Sequence, residues 1–360
     1  MDNLSVTFLE MHGQPPEAVA RQLAAFIEQA QVTIDWAAYD LHLTGPAHDL
    51  VLAALHRRAD AGVAIRLVYE SDAMPTAPPF ENSRPPSDTV EFVRELGYPA
   101  RPIRAWCCLM HHKYIVIDGH TPQGQVWTGS TNFTDSSWSL QENNILTIAS
   151  APVALGYVQD FEELWTRRTM VNTGKRDVDP LRLTYAGAPL TAEIHFSPGQ
   201  GKWINREIAL RVAAARERIT ICAAVMTSGQ ILGALREVMD RKLPMDGVYD
   251  AGQMAGVYPQ WDREPGNEWK TELFHDLIRY GHLVGKPTTP WSPTSVHDFM
   301  HNKILVVDDT VITGSYNFSR NAETNAENVL FLTSPALAAT YRATIAHLAQ
   351  RYGGGVKRET

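Results

Sequence analysis

Met110–Asn144 reads MHHKYIVIDGHTPQGQVWTGSTNFTDSSWSLQENN, and it decides how the rest of the chain is read. It holds His111-x-Lys113-x4-Asp118, then Gly129-Ser130-Thr131-Asn132, then Glu142-Asn143. The same string returns as His301-x-Lys303-x4-Asp308, Gly314-Ser315-Tyr316-Asn317 and Glu327-Asn328. The offset is nearly constant: 301 − 111 = 190 at the histidine and 317 − 132 = 185 at the asparagine. One HxKx4D string arises by chance in roughly a few per cent of chains this long. Two copies, each followed by GSxN and Glu-Asn, do not. The internal repeat is the signal.

Working outward, the flanks repeat as well. Val32-Thr33-Ile34 and Ala37 match Ile219-Thr220-Ile221 and Ala224, and Val68-Tyr69-Glu70 match Val248-Tyr249-Asp250. Gly13-Gln14 echoes in Gly199-Gln200. Alternating apolar runs and helical periodicities predict α/β layering in both halves. Strands are expected near Val6–Glu10, Val32–Tyr39, Val63–Tyr69, Ala100–Arg104 and Ile145–Ala149. Helices are expected over Glu17–Gln29, Ala47–Asp60, Ser87–Leu96 and Ala151–Thr169. A first half at 1–173, a polar, Gly-containing linker at 174–189, a second half at 190–352 and a disordered tail at 353–360 follow. The Pro-rich Ser71–Pro86 and its counterpart Ala251–Gly266 read as loops at the rim of a site.

The bulk properties set limits. A chain of 360 residues with 44% hydrophobic and 20% charged residues is of ordinary globular composition and long enough for two cores. No run approaches the ~18 apolar residues of a membrane-spanning helix, and Met1–Glu10 lacks a signal-peptide pattern, so a cytoplasmic address is expected. Cys107, Cys108 and Cys222 show no ligand spacing and read as small buried hydrophobes. A net charge of −8 argues against a broadly basic nucleic-acid surface, although a local cationic cleft is compatible with it.

The motif residues have a chemistry of their own. Residues two apart on a strand share a face, so His111 lies beside Lys113 and His301 beside Lys303. A His–Lys pair on an apolar strand packs poorly but meets an anion well. Ser130, Asn132, Ser315 and Asn317 add hydroxyl and amide donors suited to phosphate oxygens. A glutamate can fix a histidine's tautomer through its second ring nitrogen, which makes Glu142 and Glu327 candidates. His112 alternates to the opposite face of its strand and suits packing. His297 and His301, four apart, lack a third ligand, so no metal site and no cofactor are expected.

On these motifs the chain resembles the phospholipase D superfamily. Its wording, GSTNFT and GSYNFSRN with MHHK, is closest to the branch of bacterial endonucleases and mitochondrial cardiolipin hydrolase. The resemblance spans essentially the whole chain. It implies two pseudo-symmetric α/β/α sandwich halves packed about one shared active site, a pseudo-dimer within a monomer. It implies a metal-independent phosphodiesterase in which His111 attacks phosphorus and His301 serves as acid and base. Lys113, Lys303, Asn132 and Asn317 would hold the phosphate, Asp118 and Asp308 would act structurally or electrostatically, and Glu142 and Glu327 would orient the histidines. Nucleic acid is the expected substrate, phospholipid the alternative, and a non-catalytic phosphate-binding scaffold the third reading. Trp106, Trp291, Tyr258 and Trp261 are candidate rim residues, with Tyr258 and Trp261 stacking on bases.

Overall fold

The computed structural model describes residues 2–71, 88–103, 108–292 and 294–354. The expected proline-rich rim beyond Ser71, Trp106, Cys107 and the tail from residue 355 lie outside the described residues.

The first half runs β1 (Leu4–Leu9), α1 (Pro16–Ile27), β2 (Thr33–Ala38), β3 (Leu41–His42), α2 (Gly45–Asp60), β4 (Ala64–Glu70), α3 (Thr89–Leu96) and β5 (Ala100–Ile103). It continues through β6 (Lys113–Ile117), β7 (Gln125–Gly129), β8 (Phe133–Thr134), α4 (Asp135–Ser139), β9 (Asn143–Ala149) and α5 (Ala151–Arg167). The second half runs β10 (Leu181–Tyr185), β11 (Ala188–Ser197), α6 (Gly201–Ala213), β12 (Ile219–Ala223), α7 (Gly229–Asp240), β13 (Met245–Asp250) and α8 (Ala251–Arg263). It closes with α9 (Glu268–Tyr280), β14 (Leu283–Lys286), β15 (Lys303–Val307), β16 (Thr310–Gly314), β17 (Glu327–Thr333) and α10 (Pro335–Gly353).

Each half forms a mixed sheet of the same order: β1-β9-β7-β6-β2-β4-β5 in one, β11-β17-β16-β15-β12-β13-β14 in the other, with β10 added at its edge. In both, three strands run parallel and the rest antiparallel. The motif strands β6 and β15 lie at the centre and are buried along their whole length, which explains their unbroken apolar runs. One apolar core lies under α1–α3 in the first half and another under α6–α9 in the second. A third joins the two sheets through α5 and α10. Val153, Ala154, Tyr157, Val158, Phe161 and Leu164 give α5 its buried stripe; Leu337, Ala338, Tyr341, Ile345 and Leu348 do so for α10.

Crossed hydrogen bonds lock the halves together. Asn144 Nδ2 donates to Thr313 Oγ1 (3.0 Å) and Tyr341 Oη (2.9 Å), while Asn328 Nδ2 donates to Thr128 Oγ1 (3.1 Å) and Tyr157 Oη (3.0 Å). These amides are buried, so each half supplies what the other needs.

Three expectations need correcting. Leu181–Tyr185, placed in a linker, pairs antiparallel with β11, and Thr184 is bonded to Asn3 of the first half. Ala251–Gly266, read as a loop, is mostly helix α8; Asp250 caps it by accepting from the Gln253 amide (2.8 Å), and Pro259 is tolerated within it. Gly353, placed in the tail, ends α10.

Candidate active site

The two histidines stand just before β6 and β15, each anchored across the interface through its backbone. His111 N donates to Ala326 O (2.9 Å) and His301 N donates to Glu142 O (3.0 Å). The residue before each is held by a carboxylate: Met110 N donates to Glu70 (2.5 Å), Met300 N to Asp250 (2.8 Å). Lys113 Nζ returns to His111 O (2.8 Å) and Lys303 Nζ to His301 O (2.6 Å), so each lysine is folded back toward its histidine.

His111, Lys113 and Lys303 are buried, and His301 is half-buried. Burial draws Lys113 down to about 7, against the pull of Glu327, and burial with the repulsion of Lys113 holds Lys303 well below the ordinary lysine range. Burial, then the lysine charges of both halves, hold His111 and His301 well below the ordinary imidazole range. Each histidine is repelled by the other half's lysine as well as by its own. Such a cluster of potential cations favours the binding of an anion.

Ser130 and Ser315 frame the histidines. Ser130 Oγ donates to Asn143 Oδ1 (2.8 Å), and the Ser130 and Ser315 backbones contact His301 and His111 respectively. The preceding glycines adopt positive φ, 147° at Gly129 and 142° at Gly314. A Cβ there would meet Asn144 O at 2.1 Å or Asn328 O at 2.3 Å, which is why the turn needs glycine. Asn132 is buried with its Oδ1 unpartnered, and Asn317 is half-buried.

Asp118 and Asp308 stand apart from this chemistry. Asp118 accepts from the amides of Gln31, Val32 and Thr33 at 2.7–2.9 Å, and Asp308 from those of Arg216, Glu217 and Arg218 at 2.8–3.1 Å. Those bonds outweigh burial and hold Asp308 below the usual carboxylate range. Both aspartates act as clamps at the far end of the motif strand.

The two glutamates are not equivalent. His111 Nδ1 lies 2.7 Å from Glu327 Oε2, but His301 Nδ1 meets Asn143 Oδ1 at 3.0 Å. Gly129 pairs with Ile145 and Gly314 with Val329, so Asn143 is the counterpart of Glu327 and Ala326 that of Glu142. Matching the two Glu-Asn pairs slips the register by one residue, which on a strand reverses the side chain. Glu142 therefore points elsewhere, into a buried ion pair with Lys286, and also accepts from Tyr352 Oη and from the Met11 amide (3.2 Å). Lys286 pairs in register with Asp250 as Ile103 does with Glu70, so the His111 side has Ile103 of the first half and Ala326 of the second at the matching places. Aligning on the apolar onset of β9 and β17 finds Asn143.

The remaining candidates divide. Trp261 is buried and packs near Phe274 and Tyr258, and Tyr258 in turn meets Phe274 and His275. Neither lies on a rim, because α8 turns both into the second-half core. Trp291 is exposed and stacks on His297, which stacks on Phe299. His297 accordingly has a packing partner on each side, and its Nε2 bonds to Ser292 O (3.0 Å). His112 is buried beside Asp160 (3.1 Å), which also accepts from Tyr114 Oη (2.8 Å). Sequence reading missed Tyr39, whose ring meets His111 edge-on (centroids 4.6 Å apart) and carries the Lys113 ammonium over its face (4.8 Å).

The profile described as "Cardiolipin synthase, PLD-like domain" matches residues 23–165 and 209–349, one stretch in each half. The chain is 29% identical over 122 residues to mitochondrial cardiolipin hydrolase of Xenopus laevis, covering 34% of this chain and 50% of that protein. It is 29% identical over 148 residues to phospholipase D of Rickettsia bellii, covering 41% and 63%. The matches thus span between half and two thirds of those relatives. Among solved structures, the fold is similar to phosphatidylserine synthase of Haemophilus influenzae (TM-score 0.65, 12% identity, 96% of this chain and 86% of that one). It is also similar to polyphosphate kinase of Porphyromonas gingivalis (TM-score 0.58, 11% identity, 95% and 46%). No helix among the described residues is long and apolar enough to cross a membrane. With both halves matched and the motif histidines converging across their interface, the chain belongs to the phospholipase D-like family as an internally duplicated member.

Proposed function

We propose that this chain is a metal-independent phosphodiesterase that works through a phosphohistidine on His111. The observation that carries the reading is the buried 2.7 Å contact between His111 Nδ1 and Glu327 Oε2, made across the two halves beside both lysines. With Nδ1 engaged, Nε2 is the nucleophile. It attacks phosphorus as the ester P–O bond breaks, and His301 gives its proton to the departing oxygen. His301 then takes a proton from water, whose oxygen attacks phosphorus and breaks the P–N bond. Glu327 balances the positive charge that the modified imidazole carries. Asn143 is neutral, which suits a residue that alternates between acid and base. Lys113 and Lys303, with Asn132 and Asn317, hold the non-bridging oxygens and oppose the charge that grows on them. An arriving phosphodiester anion raises the proton affinity of the lysines and of His301, bringing the cluster to its working charge state.

A nucleic-acid phosphodiester is the favoured substrate, because a ring stack runs from exposed Trp291 through half-buried His297 to buried Phe299, two residues before His301. The phospholipid reading draws on the names of the relatives in Xenopus laevis and Rickettsia bellii. The two separate by incubating the protein in EDTA with single- and double-stranded DNA, RNA, phosphatidylcholine and cardiolipin. Cleavage of nucleic acid alone supports the first reading and cleavage of lipid alone the second; cleavage of neither, nor of a chromogenic diester, leaves the scaffold.

A further inference from the structure

Strand pairing puts Tyr39, not the Ala37 of the sequence match, at the place that Ala224 holds in the other half. Tyr39 N donates to His112 O and Ala224 N donates to Asn302 O, each at 2.9 Å, one residue after the respective motif histidine. Ala38 and Ala223, the residues before them, pair with Lys113 and Lys303. On the His111 side that position carries a half-buried phenol ring, packed edge-on against the histidine and under its lysine. The His301 side carries only a methyl group. The stacked rings of Trp291, His297 and Phe299 belong to the His301 side, and Gln141 Nε2, donating to His297 O (3.2 Å), ties them to the strand that supplies Asn143.

We infer that the cleft mouth is divided into two unequal subsites: a narrow one at His111, walled by Tyr39, which takes the retained ester arm, and a wide one at His301, above Ala224, which takes a flat, ring-bearing leaving alcohol. This rests on the reading of His111 as nucleophile. In-line displacement puts the leaving oxygen opposite the attacking Nε2, hence toward His301. The retained arm shares the equatorial plane with the two non-bridging oxygens that the lysines and asparagines hold, and it stays on the phosphorus that becomes bonded to His111, beside which the Tyr39 ring stands. Van der Waals exclusion there acts on the size of that arm alone.

The test uses two diesters with one leaving group, methyl p-nitrophenyl phosphate and bis(p-nitrophenyl) phosphate, which differ only in the retained arm. Reading a ratio of kcat/KM within each variant cancels any general loss from disturbing the site. The wild-type protein is expected to favour the methyl diester. Tyr39→Ala should shrink that preference by roughly tenfold, and Tyr39→Phe should keep it, since the wall is the ring. Ala224→Tyr should slow both diesters by a similar factor and leave the ratio unchanged. An unchanged ratio in Tyr39→Ala overturns the assignment. A ratio that moves in Ala224→Tyr instead reverses the subsites and the nucleophile together. Failure of the wild-type protein to cleave these diesters, nucleic acid and phospholipid alike removes the phosphodiesterase reading itself, and the subsites with it.

Discussion

His111 and His301 are set in surroundings that correspond strand for strand and differ in charge. His111 faces a carboxylate, Glu327, and an aromatic wall, Tyr39; His301 faces an amide, Asn143, and a methyl group, Ala224. One strand further out the difference is inverted. There the His301 side holds the buried pair Glu142–Lys286, and the His111 side holds Ala326 and Ile103. The same scaffold occurs twice, and among the differences between the copies several stand directly against the histidines. A symmetric site would offer phosphorus two equal nucleophiles; the proposed mechanism draws its preference from the carboxylate beside His111.

The largest effect should fall on the histidines themselves. His111→Ala and His301→Ala should each lower turnover of a chromogenic diester by roughly 10³-fold or more, since each acts in both chemical steps. A near-normal rate for either would show that the halves do not share a site. Next come the orienting groups. Glu327→Gln should cost roughly 10²-fold in kcat, and Asn143→Ala only about tenfold, because only the first removes a charge that balances the modified imidazole. Equal losses would erase the proposed difference between the histidines.

The buried pair tests the same asymmetry through stability. Glu142→Ala or Lys286→Ile alone strands a buried charge and should destabilise by about 3–5 kcal/mol in denaturant unfolding. The double replacement reproduces Ala326 and Ile103 and should recover most of that loss. Additive losses would mean that the two charges act independently.

The pH response has a sign on each limb. Burial raises Glu327 to about 7, and burial lowers Lys113 to about 7. Lowering the pH protonates Glu327 and then His111, removing the nucleophile; raising it strips the proton from Lys113, removing the charge that holds phosphate. A bell in kcat/KM centred near neutrality is expected, and Lys113→Arg should push its alkaline limb upward. The smallest effect is none at all: EDTA in excess should leave the rate unchanged, since lysines supply the charge a divalent ion gives elsewhere. Loss of activity restored by added metal would contradict that.

Much of this was legible in the sequence for a physical reason. The motif strands are buried on both faces, so their apolar runs are long, and the polar residues that interrupt them stand out. Gly129 and Gly314 announce turns that tolerate nothing else. What stayed hidden depends on register and on partners. Glu142 and Glu327 look alike in one dimension, and only the pairing of β7 with β9 shows that one residue of slip sends Glu142 toward Lys286. Tyr258 and Trp261 look like a rim because Gly and Pro surround them; the Asp250 cap starts a helix that buries them instead. Tyr39 lies far from either motif in sequence and reaches His111 only through the pairing of β2 with β6.

The crossed amides of Asn144 and Asn328 have a consequence for the lifetime of the molecule. A hydroxyl from α10 completes the first half's asparagine and one from α5 completes the second's, so neither half alone can satisfy its own interior. Severing the chain between the two halves should leave fragments that seek each other out, and damage sustained by either should be felt at the other's histidine.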